Sequence, residues 1–177
     1  MSGPRGTLAV GVAVAALGGC TVGDTDDRHA VATLESRSGS TVTGVAHFVP
    51  DGELVELTLT VAGATPGQHG VHLHAVGDCS APDATSAMGH WNPTEAMHGD
   101  HGSPVHHLGD CGNLTVAADG TGTLVVASAW TIGSGLADDI AGKALIVHEL
   151  PDDGVTQMPP GNAGARQACG VVTVSAE

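Results

Sequence analysis

The sequence predicts an all-β domain. Short runs rich in valine, leucine and threonine recur between turn residues, and no segment shows a convincing apolar period of 3.6 residues. The predicted strands cover residues 30–37, 41–49, 54–61, 70–76, 113–118, 123–129, 144–149 and 170–175. The clearest is the third, in which Val55, Leu57, Leu59 and Val61 alternate with polar residues. Eight short strands fit a closed sheet.

The connections between the strands fall into two kinds. Pro50-Asp51-Gly52 and Asp119-Gly120 have the composition of tight reversals between neighbouring strands. Residues 79–108 and 150–165, by contrast, show no strand pattern. Because a long irregular loop in a compact domain usually carries function, we expect functional residues in the first of these segments, residues 79–108.

The N-terminal residues have the features of an export signal. The apolar run 8–17 follows Arg5 and ends at Gly18-Gly19-Cys20, which is typical of a secretory signal and too short to span a bilayer. Residues 17–20 resemble a bacterial lipobox, in which Cys20 becomes the acylated first residue. An ordinary cleaved signal with an incidental cysteine is the alternative. We therefore predict a signal peptide over residues 1–19, a lipidated tether over 20–29 and one folded domain over 30–177.

The net charge and the predicted cellular compartment narrow the range of possible functions further. Nineteen acidic residues against five basic ones give a formal net charge of −14, which excludes nucleic-acid binding. Export also means that cysteines can remain oxidised.

Histidines are concentrated in one part of the chain. Eight of the eleven lie between His69 and His107. If residues 70–76 form a strand, His72 and His74 point to one face with Cα atoms about 7 Å apart, close enough for both imidazoles to bind one ion. Two exposed histidines on an edge strand would show the same local pattern. The further potential ligands are His90 in Gly89-His90-Trp91-Asn92-Pro93, then His98, His107 and Asp110. This order predicts two adjacent metal sites.

Several motifs carry a family resemblance. They are Gly67-Gln68-His69-Gly70-Val71-His72-Leu73-His74-Ala75-Val76-Gly77-Asp78, the His90 motif, His107-Leu108-Gly109-Asp110, Leu145-Ile146-Val147-His148-Glu149 and Gly161-Asn162-Ala163-Gly164-Ala165-Arg166-Gln167-Ala168-Cys169-Gly170. From residue 31 to residue 175 the chain resembles copper,zinc superoxide dismutase. The resemblance implies an eight-stranded Greek-key β-barrel with a long metal-binding loop and an electrostatic loop.

The resemblance also implies the site residues. Copper would be bound by His72, His74, His90 and His148, and zinc by His90, His98, His107 and Asp110. His90 would bridge the two metals and carry a proton during catalysis. Asp152 would accept hydrogen bonds from His72 and His98, although its surroundings also fit a turn residue. Arg166 would guide superoxide, and Cys79 and Cys169 would form a disulfide.

The implied activity is conversion of superoxide to dioxygen and hydrogen peroxide by a copper that alternates between two oxidation states, with a structural zinc. The implied location is outside the cytoplasm, on a membrane through a lipid on Cys20. Formation of a homodimer stays open. Cys111 would be a small buried side chain, with a thiolate ligand or an intermolecular disulfide as alternatives. His69 would be structural, and His101 and His106 would be solvated loop histidines.

Three other function classes are weaker. A copper or zinc buffer would need no anion-binding arginine such as Arg166. A hydrolytic zinc enzyme needs an open zinc position, whereas four protein ligands fill the predicted zinc site. A structural cell-envelope domain leaves the histidine cluster unexplained.

Overall fold

The computed structural model describes residues 28–175, together with Met1 and Gly3. The strands are β1 His29–Ser36, β2 Thr43–Asp51, β3 Leu54–Ala62, β4 Gly67–His74, β5 Asp110–Val116, β6 Gly122–Ser128, β7 Ala144–His148, β8 Arg166–Val171 and β9 Thr173–Ser175. Apart from Met1 and Gly3, the predicted signal peptide lies outside the described residues, as do Cys20 and most of the predicted tether. The last residue of the predicted tether, His29, already belongs to β1. This strand therefore begins one residue before the predicted start of the folded domain at residue 30.

All nine strands belong to one closed antiparallel sheet. The order is β2-β3-β6-β5-β4-β7-β8-β1-β9, and pairing of β1 with β2 closes it. Strands β8 and β9 share a single position beside β1, separated only by Val172, whose N–H donates to the Lys143 carbonyl at 2.8 Å. The result is an eight-stranded barrel. Its non-consecutive neighbours, β3 beside β6 and β4 beside β7, give Greek-key connectivity, so the predicted fold class is confirmed.

Strand alternation builds the barrel interior. On β3 the side chains of Val55, Leu57, Leu59 and Val61 are buried, as their spacing predicts. They pack in one core cluster with Phe48 of the neighbouring strand β2. Apolar residues of period two therefore face inward around the barrel.

Three strands begin three or four residues earlier in the chain than the sequence pattern predicts. Strand β4 starts at Gly67, β5 at Asp110 and β8 at Arg166. Pairing causes the extra length: His72 is opposite Asp110 and His148 is opposite Arg166, each next to a register shift. Most of these additional residues are glycine or polar, so apolar alternation did not reveal them. Three of the predicted site residues, Asp110, Arg166 and Cys169, thereby come to lie at strand positions.

The outer face of β4 is covered by loops. Residues 69–74 are buried without interruption, which a strand with one solvated face would not show. The loop formed by residues 75–109 contains only a 3-10 helix, Thr85–Ala87, and residues 149–165 form the other long loop. Within the part of the chain that the structure describes, no helix combines the length and apolar character of a membrane span.

Candidate metal centre

Strand β4 divides its side chains between the core and the site. Val71 and Leu73 pack in the core cluster, whereas His72 and His74 point to the opposite face beneath the loops. The loop reaches this face by pairing with β4: the Trp91 N–H donates to the Leu73 carbonyl at 2.8 Å, next to an isolated bridge between His74 and His90. Strand β4 and the loop segment paired with it thus hold three of the predicted ligands, His72, His74 and His90.

The structure brings the predicted ligands together in two groups that share one residue. The first group is His72, His74, His90 and His148; the second is His90, His98, His107 and Asp110. In each group all potential ligand atoms lie within 4.8 Å of one another. The Nδ1 atom of His90 lies 2.9 Å from Asp110 Oδ1, so this nitrogen faces the second group and leaves Nε2 for the first.

One nitrogen of each of four rings is held by the protein. His74 Nδ1 donates to the Met88 carbonyl at 2.8 Å, and His148 Nδ1 donates to the Gly164 carbonyl at 3.3 Å. Asp152 accepts from His72 Nε2 at 2.6 Å and from His98 Nε2 at 2.9 Å. A proton on these nitrogens leaves the other nitrogen of each neutral ring as a lone pair.

The remaining nitrogens provide the test of whether metals fit. Five buried imidazole nitrogens in the two groups make no hydrogen bond of normal geometry: His72 Nδ1, His74 Nε2, His98 Nδ1, His107 Nδ1 and His148 Nε2. Those of His98 and His107 lie 3.0 and 3.3 Å from the carboxylate oxygens of Asp110, as ligands of one ion would. Burying an unpaired polar atom costs roughly 1–3 kcal/mol. Protein contacts alone leave these nitrogens unpaired, so they destabilise the fold until a further partner binds them. A bound cation would satisfy them. Four imidazoles suit copper, and three imidazoles with one carboxylate suit zinc.

Burial favours the neutral form of two rings of the first group, those of His72 and His74. Burial lowers the pKa of His72 to about 4, although its hydrogen bond to Asp152 acts in the opposite direction. Burial, followed by the neighbouring His148, also lowers the pKa of His74. Neutral imidazoles are the form that binds metals, so this group is ready to do so at neutral pH.

The second group carries charge in the metal-free chain. Burial opposes protonation of His98, but the carboxylates of Asp110 and Asp152 outweigh it and raise the His98 pKa to about 10. Burial likewise opposes ionisation of Asp110, but His90 and His98 hold the pKa of that carboxyl well below its usual range. A cation bound here would replace the His98 proton as the partner of Asp110.

Asp152 is itself fixed by its surroundings. Its N–H donates to Asn113 Oδ1 at 2.7 Å, and Asn113 Nδ2 donates to its carbonyl at 2.9 Å. Gly161 packs directly against the carboxylate: an added Cβ would lie 2.4 Å from Oδ1, and the φ of +67° also favours glycine. Asp152 is therefore a rigid link between the two groups, and the turn interpretation alone does not describe it.

Arg166 lies at the mouth of the first group. A cavity of about 360 Å³ is lined by His74, Gly89, His90, His148, Pro159, Pro160, Asn162, Ala163, Gly164 and Arg166. The guanidinium donates from Nη1 to the Ala84 carbonyl and from Nη2 to the Met88 carbonyl, both at 2.7 Å. Because Met88 also accepts from His74, the same carbonyl positions Arg166 and one ring of the first group.

The predicted disulfide is confirmed. Cys79 and Cys169 are bonded, with Cα atoms 5.8 Å apart and a sequence separation of 90 positions. The bond ties the loop that follows β4 to strand β8. Arg37 adds a second tie, since its Nε donates to the Cys79 carbonyl at 2.8 Å.

The other singled-out residues have structural environments. The ring nitrogens of His69 lie 2.8 Å from the carbonyls of His148 and Thr65, so this residue is not a ligand of either group. Cys111 is buried and unbonded, and burial raises the pKa of its thiol, which agrees with a small buried side chain. His101 and His106 are half-buried and hydrogen-bonded, not fully solvated as predicted.

Sequence reasoning missed two amide side chains. Gln157 Oε1 accepts from the His98 N–H at 2.9 Å, and Gln157 Nε2 donates to the His98 carbonyl at 3.0 Å. Asn113 holds Asp152 in the same two-point manner. Neither residue stands in a recognisable motif, because amides that bind backbone carry no pattern of spacing.

Comparisons with known proteins agree with this geometry. The family model of copper/zinc superoxide dismutase matches residues 42–172. The chain is similar to an extracellular superoxide dismutase [Cu-Zn] of Brugia pahangi, with 37% identity over 83% of this chain and 76% of that protein. It is similar to a superoxide dismutase [Cu-Zn] of Onchocerca volvulus, with 38% identity over 84% and 97%. The crystal structure of the clock protein EA4 has a TM-score of 0.75 at 29% identity, covering 86% of this chain and 98% of that one.

Proposed function

Since the chain belongs to the copper/zinc superoxide dismutase family, we propose that the two ligand groups are its copper and zinc sites. Copper would be held by His72, His74, His90 and His148, and zinc by His90, His98, His107 and Asp110. The observation that carries this assignment is the set of five buried nitrogens that point into the two groups without a partner.

The activity is dismutation of superoxide to dioxygen and hydrogen peroxide. Copper, when bound, supplies the one-electron oxidation and reduction that this reaction requires. His90 is positioned to hold, at Nε2, one of the two protons that peroxide takes up. Its Nδ1 faces Asp110 and the zinc group, so the ring connects the redox site to the structural site.

Arg166 is the proposed anion-binding residue. Its guanidinium lines the same cavity as His74, His90 and His148, and two carbonyls hold it there. The chain carries a net charge of −14, yet distant charges are screened beyond about 8 Å at physiological salt. The local positive charge therefore governs the last part of the approach of superoxide.

Reconstitution tests the assignment. Metal-free protein is loaded with copper alone, zinc alone, or both, and superoxide dismutation is measured beside metal content. Activity should require copper and should survive loss of zinc better than loss of copper. Full activity with zinc alone would contradict the assignment of the redox site.

We further propose that the protein is a bacterial, exported lipoprotein. The apolar run 8–17, the lipobox-like sequence before Cys20, the disulfide and the extracellular relative of Brugia pahangi support this location. Mass spectrometry of the mature N-terminus should find an acylated Cys20. Cys20→Ser should release the protein from membranes, and retention of that variant would contradict the anchor. Sedimentation velocity of the same preparation would show whether two copies associate.

A further inference from the structure

Two histidines outside both ligand groups form a pair of their own. His101 and His106 lie in the loop between the proposed zinc ligands His98 and His107. Their ring centroids are 5.9 Å apart, with an angle of 73° between the ring planes. Neither ring has a role in the dismutation chemistry described above.

Both rings are held in the same tautomer. His101 Nδ1 lies 3.1 Å from the Asp110 carbonyl oxygen, and His106 Nδ1 lies 2.7 Å from the Ser103 carbonyl oxygen. A carbonyl oxygen can only accept, so each Nδ1 carries the hydrogen. In the neutral ring, Nε2 is then a lone pair, and within residues 28–175 it has no hydrogen-bond partner. Histidine ligands to metals are commonly fixed by such an Nδ1–H contact to a backbone carbonyl.

The separation of the two rings matches that of rings that share a ligand group. Within the two groups, centroid separations run from 3.9 Å for His72 and His90 to 6.4 Å for His72 and His74. The value of 5.9 Å for His101 and His106 lies inside this range. The centroid spacing of the pair is therefore compatible with two imidazoles that bind one cation.

Access and ligand type favour a cation at this position. Both rings are half-buried, and His106 lines an open cleft of about 280 Å³ with Thr94, Ala96, Pro104, Val105 and Leu108. Two nitrogen ligands leave coordination positions for water, and imidazole is a ligand preferred by zinc and copper.

From these observations we propose that His101 and His106 form a third, solvent-accessible site for a transition-metal cation, bound through the two Nε2 atoms. The site lies directly outside the proposed zinc group, because His101 donates to the backbone of Asp110 and His106 precedes His107 in sequence. It does not depend on which metals occupy the other two groups.

The test uses protein whose copper and zinc sites are already filled, with Zn²⁺ as the probe. Equilibrium dialysis followed by metal analysis should find one further equivalent of zinc in the wild type. The variants His101→Asn and His106→Asn should lose that equivalent. Asparagine keeps an N–H donor near the position of Nδ1 and removes Nε2. His47→Asn, which changes an exposed histidine of β2, is the matched control and should retain the third equivalent.

Each result supports or overturns the site. Absence of a third equivalent in the wild type, its persistence in both Asn variants, or its loss in His47→Asn would overturn the proposal. If the Asn variants also lost the two resident metals, the test would move to the wild type. There, Zn²⁺ should shift the Nε2 nitrogen signals of His101 and His106 and leave that of His47 unchanged. Unshifted signals of the pair would overturn the proposal.

Discussion

At the residue scale, the ring nitrogens of the histidines decide the chemistry. His74 and His148 each give one nitrogen to a backbone carbonyl and keep the other without a partner. His72 and His98 do the same through the two oxygens of Asp152. The protein thus fixes the tautomer and the direction of each ring before any ion binds.

Arg166 is expected to govern the reaction rate without governing metal content. Arg166→Glu places a carboxylate in the cavity that superoxide must enter, so the rate constant should fall roughly 10- to 1,000-fold, the range over which local charge changes association rates. Copper and zinc contents should stay near wild type, because Arg166 belongs to neither ligand group. Dismutation kinetics and metal analysis of the same preparation would measure both quantities.

Two further variants serve as controls for Arg166. Lys143→Glu makes the same change of net charge, but Lys143 packs over Trp91 and does not line the cavity. It should therefore lower the rate much less. Arg166→Lys keeps the charge and loses the paired donors to Ala84 and Met88, so its rate should fall between the two. Wild-type turnover of Arg166→Glu with both metals bound would contradict the proposed role.

Asp152→Asn should weaken zinc binding more than copper binding. His98 lies on a loop, where Asp152 and the backbone clamp of Gln157 orient it, whereas His72 is fixed by the pairing of β4. Loss of an outer partner typically costs 10–100-fold in metal affinity. Competition titrations with a chelator would measure the change. Asp153→Asn is the control, since Asp153 is exposed and contacts neither ring. Equal zinc affinity of wild type and Asp152→Asn would contradict the expectation.

At the element scale, the disulfide holds the loop that positions Arg166. Cys79→Ser opens a covalent loop of 90 residues, which the chain-entropy model values at roughly 4–5 kcal/mol as an upper estimate. The unfolding temperature should fall, and hydrogen exchange should accelerate in residues 75–88, which supply the Ala84 and Met88 carbonyls. Cys111→Ala leaves the disulfide intact, so exchange in this loop should stay slow. Equal exchange rates in the two variants would show that other contacts hold the loop.

The connection between β6 and β7 depends on one carboxylate. Asp139 is buried and accepts hydrogen bonds from the N–H groups of Gly133, Gly135 and Ala141 at 2.7–2.9 Å. Burial opposes ionisation, but these bonds outweigh it and lower the Asp139 pKa below its ordinary 3.8. Its stabilising contribution is therefore present above pH 3.8 and is lost as the pH falls through the lower folded value.

Asp139→Asn should accordingly cost roughly 1–3 kcal/mol of unfolding free energy at neutral pH. The difference in unfolding free energy between wild type and variant should shrink as the pH falls below the pKa of an ordinary aspartate. Urea unfolding at pH 7 and at about pH 3 would measure it. Asp51→Asn removes an exposed carboxylate and should change stability little at either pH. A difference that grows on acidification would contradict this sign.

At the scale of the whole molecule, the barrel positions the metal ligands, and bound metals provide the partners that these ligands lack. Removal of both ions with a chelator should lower the free energy of unfolding, because it leaves five buried nitrogens unpaired. A ligand present at a thousand times its Kd contributes about 4 kcal/mol, which is the size of loss expected for each tightly bound ion. Thermal unfolding with and without chelator would measure the loss. His90→Ala should lose less stability than the wild type when chelator is added, since His90 belongs to both groups.

Most of the fold could be predicted from local sequence. Strand β3 alternates apolar and polar residues, and its observed bounds, Leu54–Ala62, differ from the prediction by one residue. Strand β8 was predicted to begin at residue 170 but begins at Arg166, because pairing with β7 extends it. Period-two alternation reports burial, and it is silent where loops cover the outer face of a strand, so that both faces are buried, or where polar site residues pair.

The sequence by itself determined the fold class and, through the resemblance of ordered histidine motifs, the family and the residues to consider as ligands. Only the tertiary structure brought those residues into two groups, paired Asp152 with a histidine 80 residues away and set the Met88 carbonyl between His74 and Arg166. It also placed His101 beside His106. Local patterns record which side of a strand is buried, whereas contacts between distant loops depend on barrel closure and on backbone hydrogen bonds that any residue type can make.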